Sequence, residues 1–150
     1  MTIKQISDNF EYHEVVDSDV ASRCGISNEL PDNLEENVLQ TARGMEDIRA
    51  ALGNKPIDVL SWYRSPQVNK LARGSKSSQH CLGQAVDFRC RSFGTPRDIV
   101  QLLAKSGISF DQLILEFDSW VHVSFCEKPR RQVLTAVKEG GATVYKKGIQ

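Results

Sequence analysis

No apolar run in this 150-residue chain approaches the roughly 18–20 residues of a membrane-spanning helix, so stable membrane insertion is not expected. Neither charge sign is in excess. Nineteen Lys and Arg balance nineteen Asp and Glu, whereas a nucleic-acid-binding domain normally carries a basic surplus, so no nucleic acid is expected as partner. Cysteine is scarce, and none of Cys24, Cys81, Cys90 and Cys126 forms a C-x-x-C pair. That disfavours a structural zinc site built on thiolates and leaves reduced, partly buried thiols as the simplest expectation. The opening MTIKQISDNFEYHEVV has no basic region followed by an apolar stretch, the mark of a secretory signal. Synthesis in the cytoplasm is expected, with help needed to reach another compartment. Internal repeats, low-complexity tracts and linkers are also missing, and histidine occurs only three times.

What is present is an ordinary globular composition, 40% hydrophobic and 25% charged, at a length suited to one domain over residues 1–150. Leu34, Val38, Ala42, Met45, Ile48 and Leu52 recur at spacings of three and four. They predict a helix over residues 33–52, capped by Asp32 with Glu35 three residues on and stopped at Gly53. PIDVLSWY predicts a strand over 56–63, a short helix follows over 66–72, and AVDF is a second strand over 85–88. Thr95 as cap, Pro96 at the first helical position and Gly107 as stop predict another helix. DQLILEF and WVHVSF read as a hairpin around Asp118-Ser119, with Asp111 at the start of its first strand. Residues 130–150 read as a short helix and a loose end, with Arg130-Arg131 a solvated face. The expected architecture is α+β, a small antiparallel sheet flanked by helices.

The stretch SSQHCLGQAVD places His80, Gly83 and Asp87 at fixed offsets around a strand. In WVHVSF the side chains of Trp120, His122 and Ser124 share one face and Val121, Val123 and Phe125 the other, apolar one. Asp87 likewise opposes Val86 and Phe88, and His80 lies in a loop with Gly74 and Gly83, where the backbone can turn sharply. Two histidines and a carboxylate from separate elements can make a three-ligand zinc site with its fourth position open to water, the catalytic arrangement. Residue types alone fit equally a surface histidine beside an unrelated turn carboxylate, and a half-buried, hydrogen-bonded His122.

Taken in order, SWYRSPQVNK, GSKSSQHCLGQAVDF and EFDSWVHVSF resemble the zinc peptidoglycan peptidases, a family of D-Ala-D-Ala carboxypeptidases and dipeptidases and of L-Ala-D-Glu endopeptidases used as phage endolysins. The family pattern is S-x-H, a glycine three residues on, a metal-binding Asp seven after the His, and a second metal His in a W-x-H strand. Ser78, His80, Gly83, Asp87, Trp120 and His122 fill those places. NFEYHEVVDSDVASRCGISNELPDNLEENV and RRQVLTAVKEGG resemble the N-terminal segment and tail of the phage-encoded branch, so the resemblance covers nearly the whole chain. It implies a hedgehog-like, D-Ala-D-Ala-peptidase-like fold, a Zn2+ cofactor and the stem peptide of peptidoglycan as substrate. It also implies an endolysin-type enzyme, here expected to be a monomer that meets the cell wall from the periplasmic side after release, or acts from the virion.

Residue by residue, the resemblance makes His80, Asp87 and His122 the metal ligands and Arg64 a fixed cation near the scissile carbonyl. Ser78 and Gln79 become substrate or supporting contacts, and Trp120 a substrate contact or a wall that only shields the site. The general base departs from the pattern. Many relatives carry an acid three residues before the last histidine, where this chain has Ser119; Glu116 and Asp118 are the acids at hand. A hedgehog-like Glu six before the last ligand favours Glu116, under one geometric condition. A two-residue turn would pair Glu116 with Val121 on the wrong face, and a three-residue loop would pair it with Trp120 on the His122 face. The rival readings are a D-Ala-D-Ala carboxypeptidase, a zinc-containing binding or virion module without catalysis, and a thiol hydrolase using Cys81. His13, Cys81, Cys90 and Cys126 are read as surface or packing residues.

Overall fold

The computed structural model describes residues 4–150; Met1 to Ile3, part of the stretch read for a leader, lie outside the described residues. A short N-terminal ribbon, β1 (Gln5–Ser7) and β2 (Phe10–Glu11), leads into α1 (Tyr12–Val16) and α2 (Asp19–Cys24). The long helix α3 (Glu35–Ala51) precedes β3 (Asp58–Ser61), α4 (Pro66–Leu71), a 3-10 turn Gln79–Leu82 and β4 (Ala85–Arg89). Then come α5 (Pro96–Ala104), β5 (Gln112–Glu116), β6 (Trp120–Ser124), β7 (Gln132–Glu139) and β8 (Ala142–Lys147).

Strands β3 to β8 form one sheet in the order β3-β4-β6-β5-β7-β8, antiparallel throughout except where β7 runs parallel to β5. Alternation along the strands sends Val86, Phe88, Leu113, Leu115, Val121 and Val123 to one face. There they meet Val38, Ala42, Met45, Ile48 and Leu52 of α3 and Ile99, Val100 and Leu103 of α5, all almost completely buried in one core. Each such side chain contributes about 1.5–3 kcal/mol relative to an exposed one. Trp62 joins them edge-on to Phe10, ring centroids 6.0 Å apart. With the helices stacked on that face, the other face of the same strands is left to Asp87, Glu116, Trp120 and His122.

Thr95 caps α5 as expected, accepting from the Asp98 N–H while the Asp98 carboxylate accepts from the Thr95 N–H. Other expectations need correction. Regular α3 begins at Glu35, after a 3-10 turn Asp32–Leu34, because Leu34 and not Asp32 occupies its cap position. The strand expected over 56–63 is regular only at Asp58–Ser61, with a register shift between Val59 and Ser61. The sheet is six-stranded and mixed rather than small and antiparallel, because the tail is neither helical nor loose. Residues 132–147 form the β7–β8 hairpin, turning through Gly140 and Gly141 at φ +57° and +81°. A parallel edge on β5 is open to receive it, and pairing with that edge outweighs the helix-favouring Leu, Ala, Lys and Glu of the segment. Arg130 and Arg131 are exposed, as expected, but each is also anchored. Arg130 grips Asp111, and Arg131 lies over the Phe110 ring, 4.7 Å from its centroid, while bonding the Ala104 and Ser106 carbonyls.

Candidate metal centre

His80 is placed by a turn whose two ends are both specified. Ser78 Oγ accepts the His80 N–H at 3.2 Å, and Gly83 closes the turn in the left-handed region at φ +70°. The Gly83 carbonyl then accepts from Thr41 Oγ1 at 3.0 Å and from the Trp62 indole at 3.1 Å. A Cβ at Gly83 would lie 2.8 Å from Val38 Cγ2. Gly83→Ala is therefore expected to cost about 1–3 kcal/mol through backbone strain alone, with the Val38 clash added. A urea titration reads it, and an unchanged midpoint would remove this account of the turn.

The second ligand candidate comes from β4 and the third from β6. Asp87 stands directly opposite His122 across the β4–β6 pair and opposite Ser61 of β3. One Asp87 oxygen, Oδ1, is 2.9 Å from His122 Nδ1; the other, Oδ2, is 3.2 Å from His80 Nε2 and 3.3 Å from an Arg64 guanidinium nitrogen. One candidate ligand atom from each of His80, Asp87 and His122 lies within 4.8 Å of the other two. His80 Nδ1 is 2.6 Å from the Trp62 carbonyl oxygen, so this nitrogen carries the proton and Nε2 presents a lone pair. Despite its closeness to Asp87, buried Nε2 makes no hydrogen bond of acceptable geometry. An orphaned imidazole lone pair, a second imidazole and a carboxylate fit a divalent metal of the zinc type.

Burial pushes the His80 imidazole below its ordinary value, with Asp87 pulling the other way, and the neutral form is the one that ligates. Burial also opposes ionisation of Asp87, but the flanking His80 and His122 outweigh it and hold the carboxyl well below the usual carboxylate range. Arg64 supports the same charge while it is itself clamped by Ser61 Oγ at 3.2 Å and Asn69 Oδ1 at 3.1 Å. Those three contacts use three of its five N–H donors.

The hairpin between β5 and β6 turns through three residues, Phe117, Asp118 and Ser119, and Glu116 pairs with Trp120. The geometric condition set on Glu116 is met: it lies on the His122 face, buried to 8% exposure, with His122, Asp87 and Arg64 as its electrostatic neighbours. Burial pushes its carboxyl above the ordinary value. Asp118 is not brought to this cluster. Its exposed carboxylate is gripped by Arg97 of α5 at 3.0–3.2 Å, on the helical side of the sheet. Trp120 stands beside the cluster, edge-on to Phe117 at 5.6 Å, its buried indole N–H without an acceptor.

Ser78 and Gln79 support the turn that carries His80. Ser78 caps the His80 turn, and the Gln79 amide donates to Asp111 Oδ2 at 2.9 Å. Asp111, read from the sequence only as a strand start, is 2% exposed and takes a two-pronged contact from Arg130 at 2.8–2.9 Å. Sequence reasoning missed this Gln79–Asp111–Arg130 staple because its members are 32 and 19 residues apart and match no local motif. It also missed Asn69, which is 4% exposed and links Arg64 to the Ser75 carbonyl. His13 is exposed and pairs with Glu11 and Asp17, away from the centre.

Residues 8–124 match the Peptidase M15 family model, a stretch that contains His80, Asp87, Glu116 and His122. No curated protein matches the chain. The match spans well over half of the sequence and ends on the strand that carries the last ligand candidate, so this chain belongs to the Peptidase M15 family of metallopeptidases.

Proposed function

We propose that this protein is a zinc peptidase that hydrolyses a bond in the peptide stem of bacterial peptidoglycan, as an endolysin-type enzyme of a phage or prophage. One observation carries the reading: a buried carboxylic acid, Glu116, shares one sheet face with a His-Asp-His cluster whose His80 Nε2 lone pair lacks a partner. A structural metal site needs no acid beside it, and a fourth protein ligand would close it. Among the described residues the only metal-holding group has three members.

Zinc held by His80, Asp87 and His122 would supply a water of pKa near 7 and polarise the substrate carbonyl. The chain's own residues divide the remaining work. Glu116 accepts the proton of the attacking water and delivers it to the leaving amine, a role suited to a carboxyl whose burial raises its basicity. Arg64 orients Asp87 and keeps two N–H donors for a substrate oxygen. Trp120, paired with Glu116, walls the site. Phe117 packs on the apolar patch of Ile114, Leu134 and Ala136 that borders the cluster.

The test is digestion of purified peptidoglycan by the zinc-loaded protein, with and without a chelator, followed by mass analysis of the released fragments. Chelator-sensitive release of stem-peptide fragments is the expected result, and their masses distinguish an L-Ala-D-Glu endopeptidase from a D-Ala-D-Ala carboxypeptidase. Intact wall beside one bound equivalent of zinc would sink the reading in favour of a binding or virion module.

A further inference from the structure

The sheet extends the site face past the stretch matched by the family. Register pairs Trp120 with Glu116, Glu116 with Ala136, and Ala136 with Tyr145, a row across β6, β5, β7 and β8. The adjacent row runs His122, Ile114, Leu134 and Lys147. Directly paired residues share a face, so Tyr145 and Lys147 stand on the face of Glu116 and His122. Between them and the cluster lies an apolar floor of buried Ile114, Leu134 and Ala136, with Phe117 packed against it.

Tyr145 is paired directly with small Ala136 on the face that carries Glu116, and its hydroxyl is pushed up first by partial burial and then by Glu116 and Asp87. It is nonetheless 55% exposed, a large apolar ring open to a ligand. Lys147 is exposed and has no ion-pair partner among the described residues, whereas Lys146, on the other face of β8, is paired to Glu139 at 2.7 Å.

We propose that the β7–β8 hairpin forms a substrate subsite, in which Tyr145 packs on the peptide leaving Glu116 and Lys147 pairs with a carboxylate of that peptide. This rests on the peptidase reading above. It assigns specificity to a part of the chain outside the family match, on the side of the cluster away from Arg64.

The experiment measures KM and kcat of the zinc-loaded enzyme on soluble stem-peptide fragments for wild type, Tyr145→Ala, Lys147→Gln and Lys146→Gln. Tyr145→Ala and Lys147→Gln are each expected to raise KM about tenfold with kcat within twofold, the signature of a lost binding contact. Lys146→Gln should behave as wild type. Amidating the substrate carboxylates should erase the difference between wild type and Lys147→Gln. If wild type cleaves the fragments and both site-face variants keep its KM, the subsite is wrong and the peptidase reading stands. The subsite is equally wrong if Lys146→Gln is impaired as much as they are. If wild type cleaves no wall peptide, the peptidoglycan reading fails and the subsite falls with it.

Discussion

Glu116→Gln is expected to lower kcat by about 10²- to 10⁴-fold, the range contributed by a positioned general base, while the protein keeps one equivalent of zinc. Glutamine matches glutamate in shape but cannot accept and return a proton at neutral pH. The substitution leaves the β5–β6 register, the Trp120 pairing and the three candidate ligands in place, since Glu116 belongs to none of the ligand contacts. Fragment release from peptidoglycan and metal content are read on the same preparation. A Glu116→Gln enzyme within threefold of wild type would remove Glu116 from the mechanism and leave the ligand candidate Asp87 as the other acid of the cluster. Asp118 is not a substitute, because Arg97 holds its carboxylate on the side of α5. Asp118→Asn is accordingly expected to retain turnover.

Asp87→Ala is expected to abolish high-affinity zinc binding and also to destabilise the metal-free protein, for separable reasons. Loss of a direct ligand should exceed the roughly 10- to 100-fold typical of losing a group that merely supports one. The stability effect comes from Arg64, whose side chain is 18% exposed and faces an Asp87 side chain only 10% exposed. Removing one member of a buried ion pair strands the other and typically costs about 3–5 kcal/mol. The double variant Asp87→Ala/Arg64→Met should recover much of that stability without recovering zinc, since replacing both charges leaves none unpaired. Zinc titration and urea unfolding of the chelated proteins separate the two effects. Equal unfolding midpoints for wild type and Asp87→Ala would show that the pair does not hold Arg64.

The centre is more legible in the sequence than the architecture around it. His80, Gly83 and Asp87 sit at short offsets, His122 lies 35 residues further on in a recognisable strand, and period-two alternation is enough to put Trp120 and His122 on the face opposite Val121 and Val123. Glu116 is legible only conditionally, because face assignment in a hairpin depends on loop length. Phe117 and Asp118 adopt φ +54° and +52°, a left-handed pair that is uncommon for residues other than glycine and least expected at the bulky Phe117. The tail does carry a signal, one that a helical reading passes over. Gly140-Gly141 between QVLTAVKE and ATVYKK is a two-residue hairpin turn of the commonest kind. The staple through Asp111 is illegible, since pairing across 32 residues follows from topology and leaves no local pattern.

That staple redraws the limits of the folding unit. The family-model match stops at residue 124, but the loop holding His80 is tied through Gln79 and Asp111 to Arg130, beyond that limit. The same tail also covers five consecutive residues of β5 by parallel pairing. A protein trimmed to the matched stretch would present that row of backbone donors and acceptors to any neighbouring chain, a template for aggregation. The family match ends at β6, while the sheet it belongs to is longer by a whole hairpin. The C-terminal hairpin is then as much a part of the enzyme's solubility as of its shape.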